Sequence, residues 1–137
     1  MECSIKELSC IDTVSNSNFF TGVPDSLLSE FIKTIDEKKN VVHVPAVNEA
    51  HAVSIAFGAM LTGNDACVYL QNSGLGNIVN PITSLCMPSN VFPFLIIGHR
   101  HTLAQHKVMG EIDKDLMQLL KYPEDRYVIV SGGNNEK

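Results

Sequence analysis

Residues 66–77 read ACVYLQNSGLGN, an apolar run that passes directly into a turn containing two glycines. The run predicts a buried strand over Ala66 to Gln71, and the turn covers Asn72 to Asn77. Apolar residues at helical spacing follow the turn, at Ile78, Val79, Ile82 and Leu85. Pro81 lies near the first turn of that helix, where proline is tolerated. A strand, a turn and a helix in direct succession are typical of a parallel sheet covered by helices.

The same alternation continues on both sides of this segment. Four further strands are predicted, at Phe19 to Gly22, Val41 to Pro45, Phe94 to Ile97 and Tyr127 to Val130. The strand at 94–97 is apolar without interruption, which predicts burial on both faces and a central position.

Three further helices are predicted between these strands. The first is capped by Asp25 or Ser26 and carries Leu27, Leu28, Phe31, Ile32 and Ile35. The second runs from an Asn48 cap to Gly63 and buries Ala52, Val53, Ala56, Phe57 and Met60. The third follows a polar stretch from Gly98 to Lys107 and presents Ile112, Leu116, Leu119 and Leu120. A weak helix is also predicted near the N-terminus, from Ile5, Leu8, Ile11 and Val14.

The pattern predicts one α/β domain over residues 1–130, a three-layer structure with a mostly parallel sheet and helices on both faces. Residues 131–137 are expected to form a disordered tail. A chain of 137 residues, 45% of them apolar, has enough material for one hydrophobic core.

The charge pattern excludes two classes of partner. The net charge is −5, and no run of Lys and Arg exists to neutralise phosphates, so neither nucleic acid nor an anionic membrane is expected as a partner. No apolar stretch is long enough to cross a bilayer, and the first ten residues lack the apolar centre of a signal peptide. We therefore expect a cytoplasmic protein whose four cysteines are reduced thiols.

Candidate site residues lie at the predicted carboxyl ends of the strands, where open parallel sheets bind ligands. Four segments meet this condition, at Gly22 to Ser26, Pro45 to Glu49, Gln71 to Asn77 and Gly98 to His106. Glu49 lies in the first turn of a helix, so it either complements the helix dipole or points into the crevice as a functional carboxylate. The stretch from Ala66 to Gly110 has no acidic residue but contains Arg100, Lys107 and three histidines, which would suit a small anionic substrate.

Two other interpretations stay open at this level. The Gly74-Leu75-Gly76 turn partly matches a dinucleotide-binding loop, but Val79 stands in place of the third glycine, and a plain tight turn is the simpler explanation. His99, His101 and His106 could bind a metal, but no Cys or carboxylate flanks them, so solvated loop histidines are equally compatible and no metal ligand is assigned.

These segments together resemble the thiamine-diphosphate-dependent decarboxylases that act on phosphonopyruvate and sulfopyruvate. The resemblance extends from Phe19 to Pro123, and the block from Gln71 to Leu85 is its most specific part. The other matching segments are Phe19 to Leu28, Asn48-Glu49 with Ala52-Val53, and Gln105-His106 with Gly110. The form Gly22-Val23-Pro24-Asp25-Ser26 resembles the phosphonopyruvate branch more than the sulfopyruvate branch.

The resemblance implies roles for particular residues. Glu49 matches the glutamate that hydrogen-bonds N1′ of the cofactor's aminopyrimidine and promotes proton removal from the thiazolium carbon. Asp25 and His106 match residues that line the substrate side and either move protons or hold the anionic tail of the substrate, which makes them catalytic candidates together with Glu49. The implied substrate-binding set is Asp25, Ser26, Arg100, Gln105 and His106. The implied cofactor-binding set is Glu49 and the turn formed by Asn72, Ser73, Gly74, Leu75, Gly76 and Asn77.

The resemblance also implies a partner. A Gly-Asp-Gly motif with a downstream Asn binds Mg²⁺ and the diphosphate in these enzymes, and it is absent from the 137 residues. We therefore expect a diphosphate-binding, beta-type subunit, a hetero-oligomer with self-association, and a small anionic 2-oxo acid as substrate. A fragment of a longer chain would show the same absence.

Two features depart from the family pattern. Ala50 replaces a glycine, and the loop between Arg100 and Gln105 is short. Phosphonopyruvate decarboxylation is the leading function. The alternatives are a sulfopyruvate decarboxylase alpha subunit, a non-catalytic interaction domain with the same fold, and a nucleotide-binding domain.

Overall fold

A computed structural model of the chain describes residues 1–132. Six strands form one parallel sheet in the order β1-β6-β5-β4-β2-β3. The strands are β1 (Glu2–Ser4), β2 (Phe19–Gly22), β3 (Val42–Pro45), β4 (Ala66–Gln71), β5 (Phe94–His99) and β6 (Tyr127–Ser131). The five predicted strands are present, and β4 and β5 occupy the centre of the sheet, as their continuous apolar character predicts.

Helices cover both faces of the sheet. The α-helices are α1 (Asp12–Asn16), α2 (Ser29–Glu37), α3 (Glu49–Leu61), α4 (Val79–Pro81), α5 (Met87–Ser89) and α6 (Ala104–Leu119). A π-helical segment, Ile82–Cys86, joins α4 to α5, and 3₁₀ segments lie at Ile5–Cys10, Ser26–Leu28, Asn72–Asn77 and Glu124–Arg126. The predicted three-layer α/β architecture is confirmed.

Alternation of side chains along the strands divides the hydrophobic core in two. On one face, Val68, Leu70 and Leu95 of the central strands pack with residues of α3 and α6. On the other face, the alternate residues Cys67, Tyr69, Phe94 and Ile96 pack with the N-terminal 3₁₀ segment, α1 and α2. All of these strand residues have no exposed surface, which is expected of a parallel sheet buried between two helical layers.

The N-terminal region differs from the prediction of one weak helix. Residues 2–4 form the edge strand β1, and residues 5–10 form a 3₁₀ segment followed by α1. The apolar residues of this region recur every third position, which matches the three residues per turn of a 3₁₀ helix better than the 3.6 of an α-helix. Ser4 and Glu7 interact at the start of the 3₁₀ segment, where the Glu7 carboxylate accepts hydrogen bonds from the Ser4 hydroxyl at 2.7 Å and the Ser4 backbone N–H at 3.3 Å. The bond from the backbone N–H is one half of a capping box.

One predicted boundary and one predicted face of α6 are wrong, and so is the predicted end of the last strand. The helix begins at Ala104 rather than after Lys107, and its N-cap, Leu103, makes no capping hydrogen bond that a sequence pattern could reveal. Ile112 and Leu119, predicted to be buried, are 43% and 78% exposed. The buried residues of the helix are instead His106, Asp113 and Met117. At the chain's end, β6 includes Ser131, and residues 133–137 of the predicted tail lie outside the described residues.

Candidate active site at the carboxyl end of the sheet

The predicted site segments meet at the carboxyl ends of β2, β3, β4 and β5. Arg100, just after β5, contacts Asp25, which follows β2, and Gln71 at the end of β4. Asn72 donates from Nδ2 to the backbone carbonyl oxygen of Arg100 at 2.9 Å. Hydrogen bonds therefore join three of the four predicted segments into one cluster. The fourth segment, which contains Glu49, is linked to this cluster by the hydrogen bond from Asn77 in the turn after β4.

Glu49 begins α3, and the sequence explains its position. The Asn48 side chain accepts a hydrogen bond from the backbone N–H of His51 at 2.8 Å, so the predicted cap is confirmed. Asn77 donates from Nδ2 to Glu49 Oε1 at 2.7 Å. A Cβ placed on Gly74 would lie 2.5 Å from Cγ of Glu49, so the turn approaches the glutamate this closely only because residue 74 is glycine. Within residues 1–132, Glu49 Oε2 has no hydrogen bond.

Asp25 and Arg100 form a buried ion pair, with 2.9 Å between Arg100 Nη1 and Asp25 Oδ1. The two side chains are 4% and 14% exposed, respectively. Asp25 was predicted as a possible helix cap, but its side chain makes no capping bond, and α2 begins at Ser29 after a 3₁₀ turn. The carboxylate is directed to the guanidinium because a buried charge requires a partner. Arg100 is thus largely compensated within the protein.

The remaining predicted substrate residues are less closely connected. His106 is in the first turn of α6 and is 8% exposed, and within the described chain no hydrogen bond joins it to Asp25 or Arg100. Gln105 beside it is exposed. Ser26 is also exposed and lines a separate cleft of about 460 Å³ beside α2. The structure therefore brings Asp25, Arg100, Glu49 and the 72–77 turn together, but not Ser26 or Gln105.

Several buried polar atoms have no hydrogen-bond partner within residues 1–132. They are Thr21 Oγ1, Asp25 Oδ2, Asn72 Oδ1, Arg100 Nε and His106 Nδ1. Four of the five belong to predicted site residues, and Thr21 precedes the β2 carboxyl end. Unsatisfied buried polar atoms are rare and costly, and their concentration at one end of the sheet is typical of a site that hydrogen-bonds a ligand. The set combines acceptors, Asp25 Oδ2 and Asn72 Oδ1, with a donor, the Arg100 Nε–H, and such a mixture fits an organic ligand with polar and anionic groups.

The predicted loop histidines have defined positions. His99 ends β5, with Nδ1 2.5 Å from Oδ2 of Asp113, and its ring lies 5.0 Å from the ring of His101. His106 belongs to α6. In the part of the chain that the structure describes, no group of three or more His, Cys, Asp or Glu side chains could hold a metal ion.

Asp113 is the buried residue at this site that sequence reasoning missed. It is 1% exposed and contacts both His99 and Asn72. A pattern was available in the sequence, because His106, Asp113 and Met117 recur with helical spacing and form the buried face of α6. The apolar residues Ile112 and Leu119 instead predicted that a different face of α6 is buried.

The fold has counterparts among solved structures, although no protein-family model matches the chain. A 2-oxoglutarate:ferredoxin oxidoreductase from Magnetococcus marinus matches with a TM-score of 0.65 at 14% identity. A Mycobacterium smegmatis protein assigned as a thiamin diphosphate-dependent enzyme matches with a TM-score of 0.54 at 19% identity. Both matches cover 94% of this chain, which corresponds to 28% and 30% of the respective structures. The chain thus has the fold of an α/β domain that also occurs as part of these larger proteins.

Sequence relatives define the family more closely. The sulfopyruvate decarboxylase subunit alpha of Methanocaldococcus jannaschii is 40% identical over an alignment of 127 positions that covers 85% of this chain and 75% of the relative. The subunit alpha of Methanococcus maripaludis is 32% identical, over 80% of this chain and 68% of the relative. The phosphonopyruvate decarboxylase of Streptomyces viridochromogenes is 36% identical over 72% of this chain, but only 26% of the relative is covered. The chain belongs to the family of sulfopyruvate decarboxylase alpha subunits and phosphonopyruvate decarboxylases, as the resemblance predicts.

Within residues 1–132, no helix has both the length and the apolar character needed to cross a membrane.

Proposed function

We propose that this chain is the pyrimidine-binding, alpha-type subunit of a thiamine-diphosphate-dependent 2-oxo acid decarboxylase. The observation that carries the proposal is Glu49, which begins α3, accepts a hydrogen bond from Asn77 and keeps one carboxyl oxygen free, in a chain that belongs to a decarboxylase family. The reaction releases carbon dioxide from a small anionic 2-oxo acid and leaves an aldehyde.

Two substrates have separate support. Sulfopyruvate is favoured by the alpha subunits, which this chain matches over most of their length. Phosphonopyruvate is favoured by the form of the segment from Gly22 to Ser26 and by the 36% and 34% identity to phosphonopyruvate decarboxylases. Both compounds carry a tetrahedral anionic group beside a 2-oxo acid, so one site chemistry serves either.

When bound, thiamine diphosphate supplies a nucleophilic carbon and accepts electrons as carbon dioxide leaves. Glu49 would hold the N1′ atom of the aminopyrimidine through Oε2, because Asn77 already occupies Oε1. The Asn77 bond and the close approach of Gly74 restrict the carboxyl group to one orientation. A carboxyl group held in this way moves a proton to and from N1′, which is general acid–base catalysis.

The substrate side of the site belongs to Asp25, Arg100 and His106. Asp25 Oδ2 and His106 Nδ1 are buried and have no partner within the described chain, so each is available to hold or move a proton at the substrate. Arg100 orients Asp25 through its Nη1 atom, and its Nε–H, which has no partner within residues 1–132, is available to an anionic group. Ser26 and Gln105 are exposed and are not joined to this cluster, so we assign the substrate contacts to Asp25, Arg100 and His106 alone.

The diphosphate and its Mg²⁺ would be bound by a beta-type partner subunit. This is supported by the absence of a Gly-Asp-Gly motif from the 137 residues and by the designation of the relatives as alpha subunits. The turn from Asn72 to Asn77 would approach the cofactor and face the partner, in a cytoplasmic hetero-oligomer whose alpha chains also associate with one another.

The test is reconstitution with a beta-type subunit that contains the Gly-Asp-Gly motif. Thiamine diphosphate binding is measured by calorimetry with Mg²⁺, first to this chain and then to the complex, and aldehyde formation is followed with sulfopyruvate and phosphonopyruvate in parallel. We expect tight binding and turnover only in the complex. Tight, Mg²⁺-dependent binding by this chain alone would contradict the split site. A complex that binds the cofactor but decarboxylates neither acid would favour the non-catalytic interaction domain.

A further inference from the structure

Asp113 is a buried carboxylate that the proposed function leaves without a role. Its Oδ2 atom accepts a hydrogen bond from Asn72 Nδ2 at 3.0 Å and lies 2.5 Å from Nδ1 of His99. Its Oδ1 atom accepts from the backbone N–H of Lys114 at 2.8 Å. Both oxygens are therefore engaged as acceptors. A carboxylate this deeply buried is costly unless such partners offset the loss of water, so its position in the fold is defined by them.

Asn72 connects Asp113 to the candidate active site. It is completely buried and opens the 3₁₀ segment that ends at Asn77. Its Nδ2 group donates to Asp113 and to the carbonyl oxygen of Arg100, so one amide joins α6 to the ends of β4 and β5. At the other end of the same short segment, Asn77 donates to Glu49. The segment is thus held by a buried bond at its start and contacts the catalytic candidate at its end.

Gly110 permits the approach of α6 that this connection needs. A Cβ at residue 110 would lie 2.5 Å from Cβ of His101 and 2.8 Å from the carbonyl oxygen of Arg100. Any larger residue would push the helix away from the chain that follows β5. Because Gly110 lies one turn before Asp113, the same displacement would move the carboxylate away from Asn72.

We infer that Asp113 is a positioning residue for Glu49, acting through Asn72 and the 72–77 segment. Asp113 anchors Asn72 so that Asn77 and Gly74 stand where they restrict the Glu49 carboxyl group. The inference rests on the proposed function for its consequence in turnover, but the anchoring itself is a property of this chain alone.

The substitution Asp113→Asn tests the anchor with almost no change in shape. The carboxylate accepts hydrogen bonds on both oxygens, whereas an amide accepts on one and donates on the other. Whichever way the new amide is turned, a donor faces a donor, either at the Lys114 backbone N–H or at Asn72 Nδ2. Met117→Ala is the matched control, because Met117 is on the buried face of the same helix, one turn further along, and belongs to the apolar core.

The first measurement uses this chain alone. Nuclear magnetic resonance follows the side-chain amide signals of Asn72 and Asn77, and melting temperature follows stability. Asp113→Asn should shift both signals and speed their exchange with solvent. Met117→Ala should lower the melting temperature at least as much and leave both signals in place. An unchanged Asn77 signal in Asp113→Asn would overturn the inference, as would an equal shift in Met117→Ala.

The second measurement uses the complex with the beta-type subunit. Asp113→Asn should lower kcat about 10- to 100-fold with little change in KM, because a misplacement of about 1 Å at a reacting group has an effect of this size. Met117→Ala should keep kcat near the original value. Asn72→Ala should reproduce the loss, and the double variant with Asp113→Asn should lose no more than one single variant does. Additive losses would overturn the action through Asn72.

Failure of the two ideas is distinguishable. If the complex decarboxylates neither acid with any variant, the proposed function is wrong, and the Asn77 signal still decides whether Asp113 anchors the segment. If Asp113→Asn does not fold, Asn72→Ala takes its place in the resonance experiment. A shifted Asn77 signal then supports the anchor, and an unshifted one overturns it.

Discussion

The substitution Glu49→Gln separates a catalytic carboxylate from one that only complements a helix dipole. Glutamine has nearly the same shape, and its amide oxygen can still accept the hydrogen bond that Asn77 donates to Oε1. The stability cost comprises the lost interaction of a charge with the N-terminus of α3, about 0.3–1 kcal/mol, and the change from a charged to a neutral acceptor, about 1 kcal/mol. The two contributions together lower the free energy of unfolding by about 1–2 kcal/mol. No larger loss is expected because Glu49 is partly exposed.

The effect on turnover should be far larger than the effect on stability. An amide cannot exchange a proton with N1′, and loss of general acid–base catalysis costs about 10²- to 10⁴-fold in rate. Decarboxylation by the reconstituted complex is measured as carbon dioxide release, and thermal unfolding of the chain is measured alongside. We expect the rate to fall by at least two orders of magnitude while the melting temperature falls by about 3–8 °C.

Glu30→Gln is the matched control for this experiment. Glu30 is the acidic residue in the first turn of α2, and its side chain is 84% exposed, so it shares the dipole interaction but not the site. This variant should lose a little stability and keep full turnover. If Glu49→Gln behaves in the same way, with near-normal turnover and lowered stability, the catalytic assignment of Glu49 is refuted.

Three further predictions concern the ion pair of Asp25 and Arg100, the glycine at position 74 and the buried thiol of Cys67. Arg100→Met should lower the free energy of unfolding in urea by about 3–5 kcal/mol, because the Asp25 carboxylate is then buried without its cation. Adding Asp25→Asn should recover much of this loss. A loss under about 1 kcal/mol for Arg100→Met would contradict the buried pair. Gly74→Ala should reduce turnover because its Cβ would displace the Glu49 side chain, whereas Gly58→Ala, at an exposed helix position where a Cβ meets nothing within 4 Å, should not; equal rates would refute this. Burial raises the pKa of Cys67 in the folded chain to about 11 from 9.0. The unfolded chain therefore loses this proton at lower pH than the folded chain does. As a result, the free energy of unfolding should fall by up to about 1.4 kcal/mol per pH unit between pH 9 and 11. Cys67→Ala should reduce that slope in pH-dependent urea titrations without abolishing it, because burial also raises the pKa of Cys86 to about 11. An unchanged slope would refute the contribution of Cys67.

Much of this protein was predictable from the sequence because the signals are local. Continuous apolar runs predict strands buried on both faces, and all five predicted strands are present. The Asn48 cap and Gly63, with φ of 92°, define the ends of the helix that begins at Glu49, since capping depends on neighbours within one turn.

Other features were decided only when distant segments packed together. Asp25 was predicted as a possible cap, but it pairs with Arg100, 75 positions away, because both are buried at the same edge of the sheet and neither charge is stable there alone. The edge strand at residues 2–4 has no strand pattern of its own, and it forms because β6 offers unpaired backbone groups beside it.

The clearest division between the two levels lies in α6. Its helical periodicity was visible in the sequence, but two faces competed, one apolar with Ile112 and Leu119 and one mixed with His106 and Asp113. The mixed face is buried in the folded protein because a buried carboxylate needs hydrogen-bonding partners, and Asp113 finds them there. These partners are Asn72, which lies 41 positions earlier in the chain, and His99 at the end of β5. The sequence alone therefore determined the parallel α/β fold and the candidate catalytic glutamate, whereas the partners of the buried charges depended on which segments the fold brings into contact.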